Sequence, residues 1–395
     1  MPKLSVEQLD LAGKRVFLRV DFNVPLKDGH VGDDTRIVAA LPTLRHCLGA
    51  GAGVVLVSHL GRPKGKPDPA YSLRPVATRL TELLGQPVPL APDCVGPETA
   101  ALARALGPRQ LLLLENLRFH AEEEANDEGF ARGLAALADV YVDDAFAAAH
   151  RAHASIEAIT RYLSPAAAGL LMSRELAALD RIFEKPERPV VALLGGAKVS
   201  DKLALVQSLL ERVDNLLIGG GMAFTFLAAL GHGVGRSLLE PERIEAARAA
   251  LDHARTRGVT VRLPVDVVAA RGIDSRDDIR TVGIRAIPAD MMGLDIGPAT
   301  VARFRDALKG AATVLWNGPM GVFEREPFAS GTLEVGRAVA ACGGFSVIGG
   351  GDTIAAAQAA GVTEQIGYIS TAGGAFLEFL EGRVLPGVAA LSEAA

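Results

Sequence analysis

Short apolar runs, each followed by a helix-like stretch, recur along almost the whole chain, and this alternation restricts the fold more than any other feature. Arg15-Val16-Phe17-Leu18-Arg19-Val20 reads as a strand that stops at Asp21, with a helix over Thr35 to Leu48. Val54 to Val57 is a short buried strand with a helix over Ala77 to Leu84 behind it. Leu111 to Leu114 and Val140 to Val142 are two more strands, with a helix over Ala131 to Ala138 between them. The pattern returns at Val190 to Leu194, Leu203 to Arg212, Leu216 to Ile218, Arg243 to Arg255, Val259 to Leu263, Thr313 to Trp316 and Phe345 to Ile348. Strands without a polar face are covered on both sides, which is what helices do for a parallel sheet. The expected class is α/β with parallel sheets. At 395 residues the chain is long for one core, so two domains are expected. Pro186 and Pro189, in the charged stretch Arg181 to Arg188, mark the expected junction.

Composition excludes several functions. Hydrophobic content of 49% with 22% charged residues describes an ordinary soluble globular protein. A net charge of −5 offers no global attraction to nucleic acid or to an anionic membrane surface, so any attraction to anions is local. Cys47, Cys94 and Cys342 are scattered, which fits a reducing compartment and no zinc site. The opening MPKLSVEQLDLAGKR has no apolar core of a signal peptide, and no apolar run is long enough to span a bilayer. A cytoplasmic protein without membrane or nucleic-acid partners is expected.

Ligands of such sheets sit beyond the carboxyl ends of the strands. In the first half those ends read Asp21-Phe22-Asn23, Ser58 to Pro63, Glu115 to His120 and Asp143-Asp144, with His150 to His153 just beyond and Arg36 opening the first helix. One such residue alone is a surface salt bridge or a cap. Their accumulation points to a small polyanion, because Arg forks grip carboxylate and phosphate with two bonds. His150 and His153 lack a carboxylate or Cys partner at zinc-like spacing, and His59 and His120 are expected to bond phosphate oxygens or backbone.

In the second half the strand ends read Gly195 to Lys202, Gly219 to Phe224, Asn317 to Met320 and Gly349 to Thr353. In Phe345 to Ala357 a strand feeds a helix through three glycines, aiming free N–H groups at one anion site. Asp352 adds a carboxylate that Mg²⁺ could bridge to a phosphate; the alternative is a plain corner with Asp352 as N-cap. Lys198 and Lys202, four apart, face the same way if they start a helix, and they repel unless an anion lies between them. Neither G-x-x-x-x-G-K-[ST] nor G-x-G-x-x-G occurs, and the protein-kinase catalytic motifs are missing.

RVDFNVP (Arg19 to Pro25), SHLGRP (Ser58 to Pro63), ENLRFH (Glu115 to His120), AHRAH (Ala149 to His153), GGAKVSDK (Gly195 to Lys202), IGGGMAFTF (Ile218 to Phe226), GLDIGP (Gly293 to Pro298), WNGPMGVFE (Trp316 to Glu324) and GGGDT (Gly349 to Thr353) resemble the phosphoglycerate kinase family, in its order and over nearly the whole chain. The resemblance implies two doubly wound, Rossmann-like α/β domains facing each other across a cleft and bending about a hinge. They would span 1–172 and 173–375, with the tail from about 376 to 395 returning to the first. It implies reversible phosphoryl transfer between ATP and the carboxylate of 3-phosphoglycerate, giving ADP and 1,3-bisphosphoglycerate, with Mg²⁺, in a monomer. On the acceptor side it implies Asp21, Phe22, Asn23, Arg36, His59, Leu60, Gly61, Arg62, Arg118 and Arg151. On the nucleotide side it implies Lys198, Lys202, Gly219, Gly220, Gly293, Asn317, Pro319, Glu324, Gly350, Gly351, Asp352 and Thr353, with Asp352 as the metal residue. Arg36, Lys198, Gly351 and Gly373 would be catalytic.

A carboxylate acceptor is already ionised at neutral pH, so no general base is required and catalysis reduces to positioning and charge neutralisation. Some positions depart from the family pattern. Asp143 stands for Asn, Ala147-Ala148 for Gly-Thr, Ala372 for the first of three glycines, and Phe376 for a small polar residue. A non-catalytic two-lobed binder of a phosphorylated metabolite explains the Arg-rich pocket but not a second, Mg²⁺-compatible phosphate site.

Overall fold

In the computed structural model, which describes residues 2–394, the strands form where the apolar runs predict them, and they pair in parallel. The chain divides into two units, Met1–Ala177 with Val384–Ala395, and Ala178–Arg383. In the first unit a five-stranded sheet runs in the order Leu111–Leu113, Gly53–Val57, Arg15–Arg19, Val140–Asp143, Ala166–Ala168. Every pairing in it is parallel. In the second unit a six-stranded parallel sheet runs Thr260–Arg262, Asn215–Ile218, Val190–Leu194, Thr313–Asn317, Phe345–Gly349, Tyr368–Ser370. Numbered along the chain, the strand orders are 3-2-1-4-5 and 3-2-1-4-5-6. Both units are doubly wound, and in each the order reverses beside its first strand, where a crevice opens for ligands.

Burial explains the sequence pattern. Val54, Val55, Leu56 and Val57 are all fully buried, as are Ala192, Leu193 and Leu194, so these strands have no solvent face to mark with polar residues. Helices such as Thr35–Gly49 and Arg74–Leu84 pack Ile37, Leu44, Val76 and Leu80 onto the first sheet. The second sheet is covered in part by Pro298–Leu308 and Ser330–Ala340, through Phe304, Leu308, Val335 and Val339 around Trp316.

Two expectations are corrected, and one element is added. The passage from the first unit to the second falls at Ala177 and Ala178, inside one continuous helix, Leu170–Phe183, and not at the prolines that follow it. The chain rejoins the first unit at Val384 rather than near 376, because the Gly374–Leu380 helix packs on Leu203–Leu210 of the second. The second unit also carries a three-stranded antiparallel sheet, Arg280–Gly283, Asp266–Ala270, Met292–Ile296, which the alternation did not announce. Among the described residues no helix is long and apolar enough to cross a membrane.

Candidate active site

The first unit's polar residues gather where its strand order reverses. Arg36, in the first turn of Thr35–Gly49, donates from Nη1 to Asp21 Oδ2 at 2.8 Å and to the Asn23 carbonyl at 3.2 Å. The Asn23 side chain accepts the Gly61 N–H at 2.9 Å, and the Gly61 carbonyl accepts Arg118 Nη1 at 2.7 Å. Arg118 Nε also lies 3.2 Å from Glu124. Segments far apart in sequence are thereby tied into one cluster. Arg19 Nη2 donates to His59 Nδ1 at 3.1 Å, and Arg151 Nε to His150 Nε2 at 3.1 Å. Burial holds His59 well below the usual histidine range, and the charges of Arg19, Arg118 and Arg151 push the same way. Burial and the same arginines drive His153 down to about 3. Neutral histidines among arginines make a positive field that a small polyanion would compensate.

Several expected residues already have partners within the protein. The Phe22 side chain is fully buried and Leu60 nearly so, while their N–H groups are taken by Ser58 Oγ and Asn116 Oδ1. Arg62 is exposed beside Gly61. His120 pairs with Asp93 at 2.6 Å instead of waiting for an anion. Ligand atoms of Asp93, Cys94 and His120 lie within 4.8 Å of one another. The thiol donates to the Glu115 carbonyl at 3.0 Å, so all three are satisfied without an ion.

Sequence reasoning missed Arg19 and Asn116 as site residues, although both stand inside quoted motifs. Asn116 holds the Leu60 and Tyr71 carbonyls through Nδ2 at 2.7 and 3.0 Å. It also missed Glu123, fully buried within an acidic run, Glu122-Glu123-Glu124.

In the second unit a cavity of about 440 Å³ is lined by Gly220, Gly293, Pro319, Glu324 and Asp352 among the expected residues, with largely apolar walls that include Phe224, Leu238 and Met292. Gly219 stands just outside that wall, its N–H bonded to the Leu194 carbonyl. Against Gly196 of that wall, Lys202 Nζ donates to the Asn317 carbonyl at 3.0 Å and to its Oδ1. Asn317 Nδ2 and Thr353 Oγ1 both donate to the Gly349 carbonyl, at 2.6 and 2.9 Å, and Thr353 Oγ1 accepts the Gly318 N–H at 2.8 Å. Burial lowers Lys202 to about 8, against the opposing pull of Asp352 and Asp201.

Two local readings change here. The Gly351–Ala360 helix has Gly350 as its N-cap, so Asp352 sits in the first turn and caps nothing. Its carboxylate faces the cavity beside Lys202, which fits a hard cation shared with phosphate oxygens. The lysines do not share a helix face: Lys202 is the N-cap of Leu203–Leu210, and Lys198 lies in the preceding loop. That loop is pinned by Glu240, whose Oε2 accepts the Val199 and Ser200 N–H groups at 2.5 and 3.1 Å. Asp295 was also missed; it borders the cavity and accepts the Gly331 N–H at 2.6 Å. Gly373 takes φ +57° just before the Gly374–Leu380 helix, and Ala372 is not among the residues at positive φ. Phe376 is fully buried against Gly349, where an added Cβ would lie 2.4 Å from its ring.

Two doubly wound units, one with a cationic cluster and one with a largely apolar cavity at the strand ends, match the class of phosphotransferases that move a phosphoryl group between a nucleotide and a small anion. Comparison with known proteins makes this specific. The family model described as phosphoglycerate kinase matches residues 6–383. A phosphoglycerate kinase of Desulfosudis oleivorans is 56% identical over 388 residues, covering 98% of each chain. That of Moorella thermoacetica is 56% identical over 393 residues, covering all of both. The solved phosphoglycerate kinase of Coxiella burnetii superposes with a TM-score of 0.93 at 43% identity, over 98% of each chain. The chain belongs to the phosphoglycerate kinase family and is a phosphotransferase of that activity.

Proposed function

We propose that the first unit's arginine cluster binds 3-phosphoglycerate and the second unit's cavity binds ATP or ADP, with in-line transfer of the γ-phosphoryl group to the acceptor carboxylate. The observation that carries this is the contrast between the two sites. One is polar, cationic and tied to strand ends; the other is a largely apolar cavity of about 440 Å³ whose wall includes Glu324 and Asp352, with Lys202 packed against Gly196 of that wall. An adenine ring fits the second, and a small anion the first.

Asp21, Asn23, Arg36, His59, Gly61, Arg62, Arg118 and Arg151 form the acceptor site in this reading, and Arg36 faces the reacting carboxylate. Glu324 takes the ribose and Gly220, Gly293 and Pro319 border the base. Lys202, Asn317 and the N–H groups of Gly350, Gly351 and Thr353 hold phosphates. Lys198 meets the transferring group, and Gly373 offers backbone there. Asp352 would hold Mg²⁺ together with phosphate oxygens, and the ion would supply neutralisation of the triphosphate. The acceptor is already ionised, so Arg36 and Lys198 do what a base does elsewhere in kinases: they remove the obstacle, here the repulsion between two anions. Each contributes about 4–7 kcal/mol, the range of an arginine finger. The acyl phosphate product hydrolyses readily, so hinge closure that excludes water belongs to the proposal. A cytoplasmic monomer is proposed with it.

The test is ADP formation with 3-phosphoglycerate as the sole acceptor. A sensor gives none. A kinase for another acceptor turns over only when that acceptor replaces 3-phosphoglycerate.

A further inference from the structure

We infer that Glu123 and Ser155 are positioning residues for the acceptor site, acting through Arg19 on His59. All three of Glu123, Ser155 and Arg19 are fully buried, a rare location for a carboxylate and a guanidinium. Both oxygens of Glu123 are occupied by one residue: Oε2 accepts the Ser155 N–H at 2.9 Å and Oε1 its hydroxyl at 2.6 Å. The hydroxyl proton is thereby committed to Glu123, and the Ser155 lone pair faces Arg19 Nε, which donates to it at 3.0 Å. Arg19 is held at two further points, by the Val20 carbonyl at Nη1 and by His59 Nδ1 at Nη2, 3.1 Å away.

The direction of these bonds has a chemical result. Arginine only donates, so His59 Nδ1 is an acceptor, and a neutral imidazole then carries its proton on Nε2. His59 therefore meets an anion as a neutral N–H donor in one fixed tautomer. The charges around the relay agree. Asp143 stands beside Arg19 in the strand register, His153 Nδ1 lies 3.8 Å from Glu123 Oε1, and the charges of Arg118 and Arg151 act on His59 as well. Glu123 is the counter-charge that lets Arg19 stay buried and cationic, one hydroxyl away. Glu123 follows the ENLRFH segment and Ser155 the AHRAH segment, so one relay ties two acceptor-site loops to the first strand.

This inference rests on the assignment of the arginine cluster to the acceptor, and the experiment separates the two. In the full-length protein, ¹⁵N-resolved imidazole spectra report the His59 tautomer, and steady-state kinetics report KM for each substrate. Ser155→Ala and Glu123→Gln should turn the single Nε2–H tautomer of the wild type into a mixture. Both should raise KM for 3-phosphoglycerate about tenfold, the cost of one charge-assisted hydrogen bond, while KM for MgATP stays within about twofold. Ser155→Ala keeps both buried charges, Arg19 and Glu123, and is the variant to read if Glu123→Gln does not fold. A wild-type tautomer in Ser155→Ala, with only a lowered melting temperature, overturns the proposal. A changed tautomer with unchanged KM for 3-phosphoglycerate upholds the relay and removes the acceptor from this pocket.

Discussion

Arg36 is oriented by Asp21 and by the Asn23 carbonyl, all within the first unit, so its removal should be felt by the acceptor and by the chemistry. Arg36→Ala is expected to lower kcat more than about a hundredfold while nucleotide affinity changes little. Equal losses in kcat and nucleotide affinity would refute the assignment. Lys202 makes a prediction that depends on pH. Its folded value of about 8 lies below the ordinary lysine value of roughly 10.4, so the unfolded chain holds the proton more tightly and stability rises with pH between the two. Nucleotide phosphates favour the ammonium form, so ATP binding near pH 8.5 should take up a proton. Calorimetry in buffers of different ionisation enthalpy measures that uptake, and Lys202→Met should abolish it. Uptake that persists in the variant would place the proton elsewhere. Asp352→Asn should raise the Mg²⁺ concentration for half-maximal rate. Since Gly350 is the cap, loss of a cap cannot account for such a shift, and a superimposable titration would exclude the metal role.

The strand Val140–Asp143 ends in two buried acids that do different work. Asp144 Oδ1 accepts the Leu171 and Met172 N–H groups at 2.8 and 3.1 Å and so satisfies the start of the Leu170–Phe183 helix. Asp143 Oδ1 accepts the Ala145 N–H at 2.9 Å, while no hydrogen bond reaches Oδ2 among the described residues. Burial pushes Asp143 up to about 7 and Asp144 up to about 6. The folded state binds these protons more tightly than the unfolded chain, so the stabilisation is complete below pH 4 and is lost as pH rises towards 7. Asparagine at 143 carries no charge to bury. Asp143→Asn should therefore stabilise by roughly 1–4 kcal/mol at pH 8 and by much less at pH 4.5. Urea midpoints at both pH values decide it; an equal gain at each would show that the ionised carboxylate is not the cause.

The last residues of the chain belong to the first unit, and their contacts say how firmly. Leu385 and Leu391 are buried, the Gly387 N–H bonds the Ala149 carbonyl, and the Ser392 N–H bonds the Ala166 carbonyl at the sheet edge. The Leu4 N–H in turn bonds the Ser392 carbonyl at 2.8 Å. A chain ending at Arg383 should unfold in two steps, with the first unit less stable and the second still binding ADP with unchanged affinity. Loss of ADP binding in that truncation would mean that the tail supports both units.

The parallel α/β class was legible because buried strands leave no polar alternation and helices must follow them. That the arginines would gather was legible because charge at strand ends has few other uses. Neither pattern fixes what a residue does when its sequence neighbours mislead. Glu123 sits in an acidic run, and only the fold turns it inward onto Ser155. Lys198 and Lys202 have helical spacing, yet the glycines before them and the Glu240 anchor keep Lys198 out of the helix. The proline-marked junction failed because the Leu170–Phe183 helix begins early enough to carry the chain across before the prolines arrive. Periodicity and residue chemistry are local properties and were readable from the chain. Which carboxylate is buried, which loop is pinned and where one unit ends depend on contacts between residues distant in sequence, and those exist only once the sheets have formed.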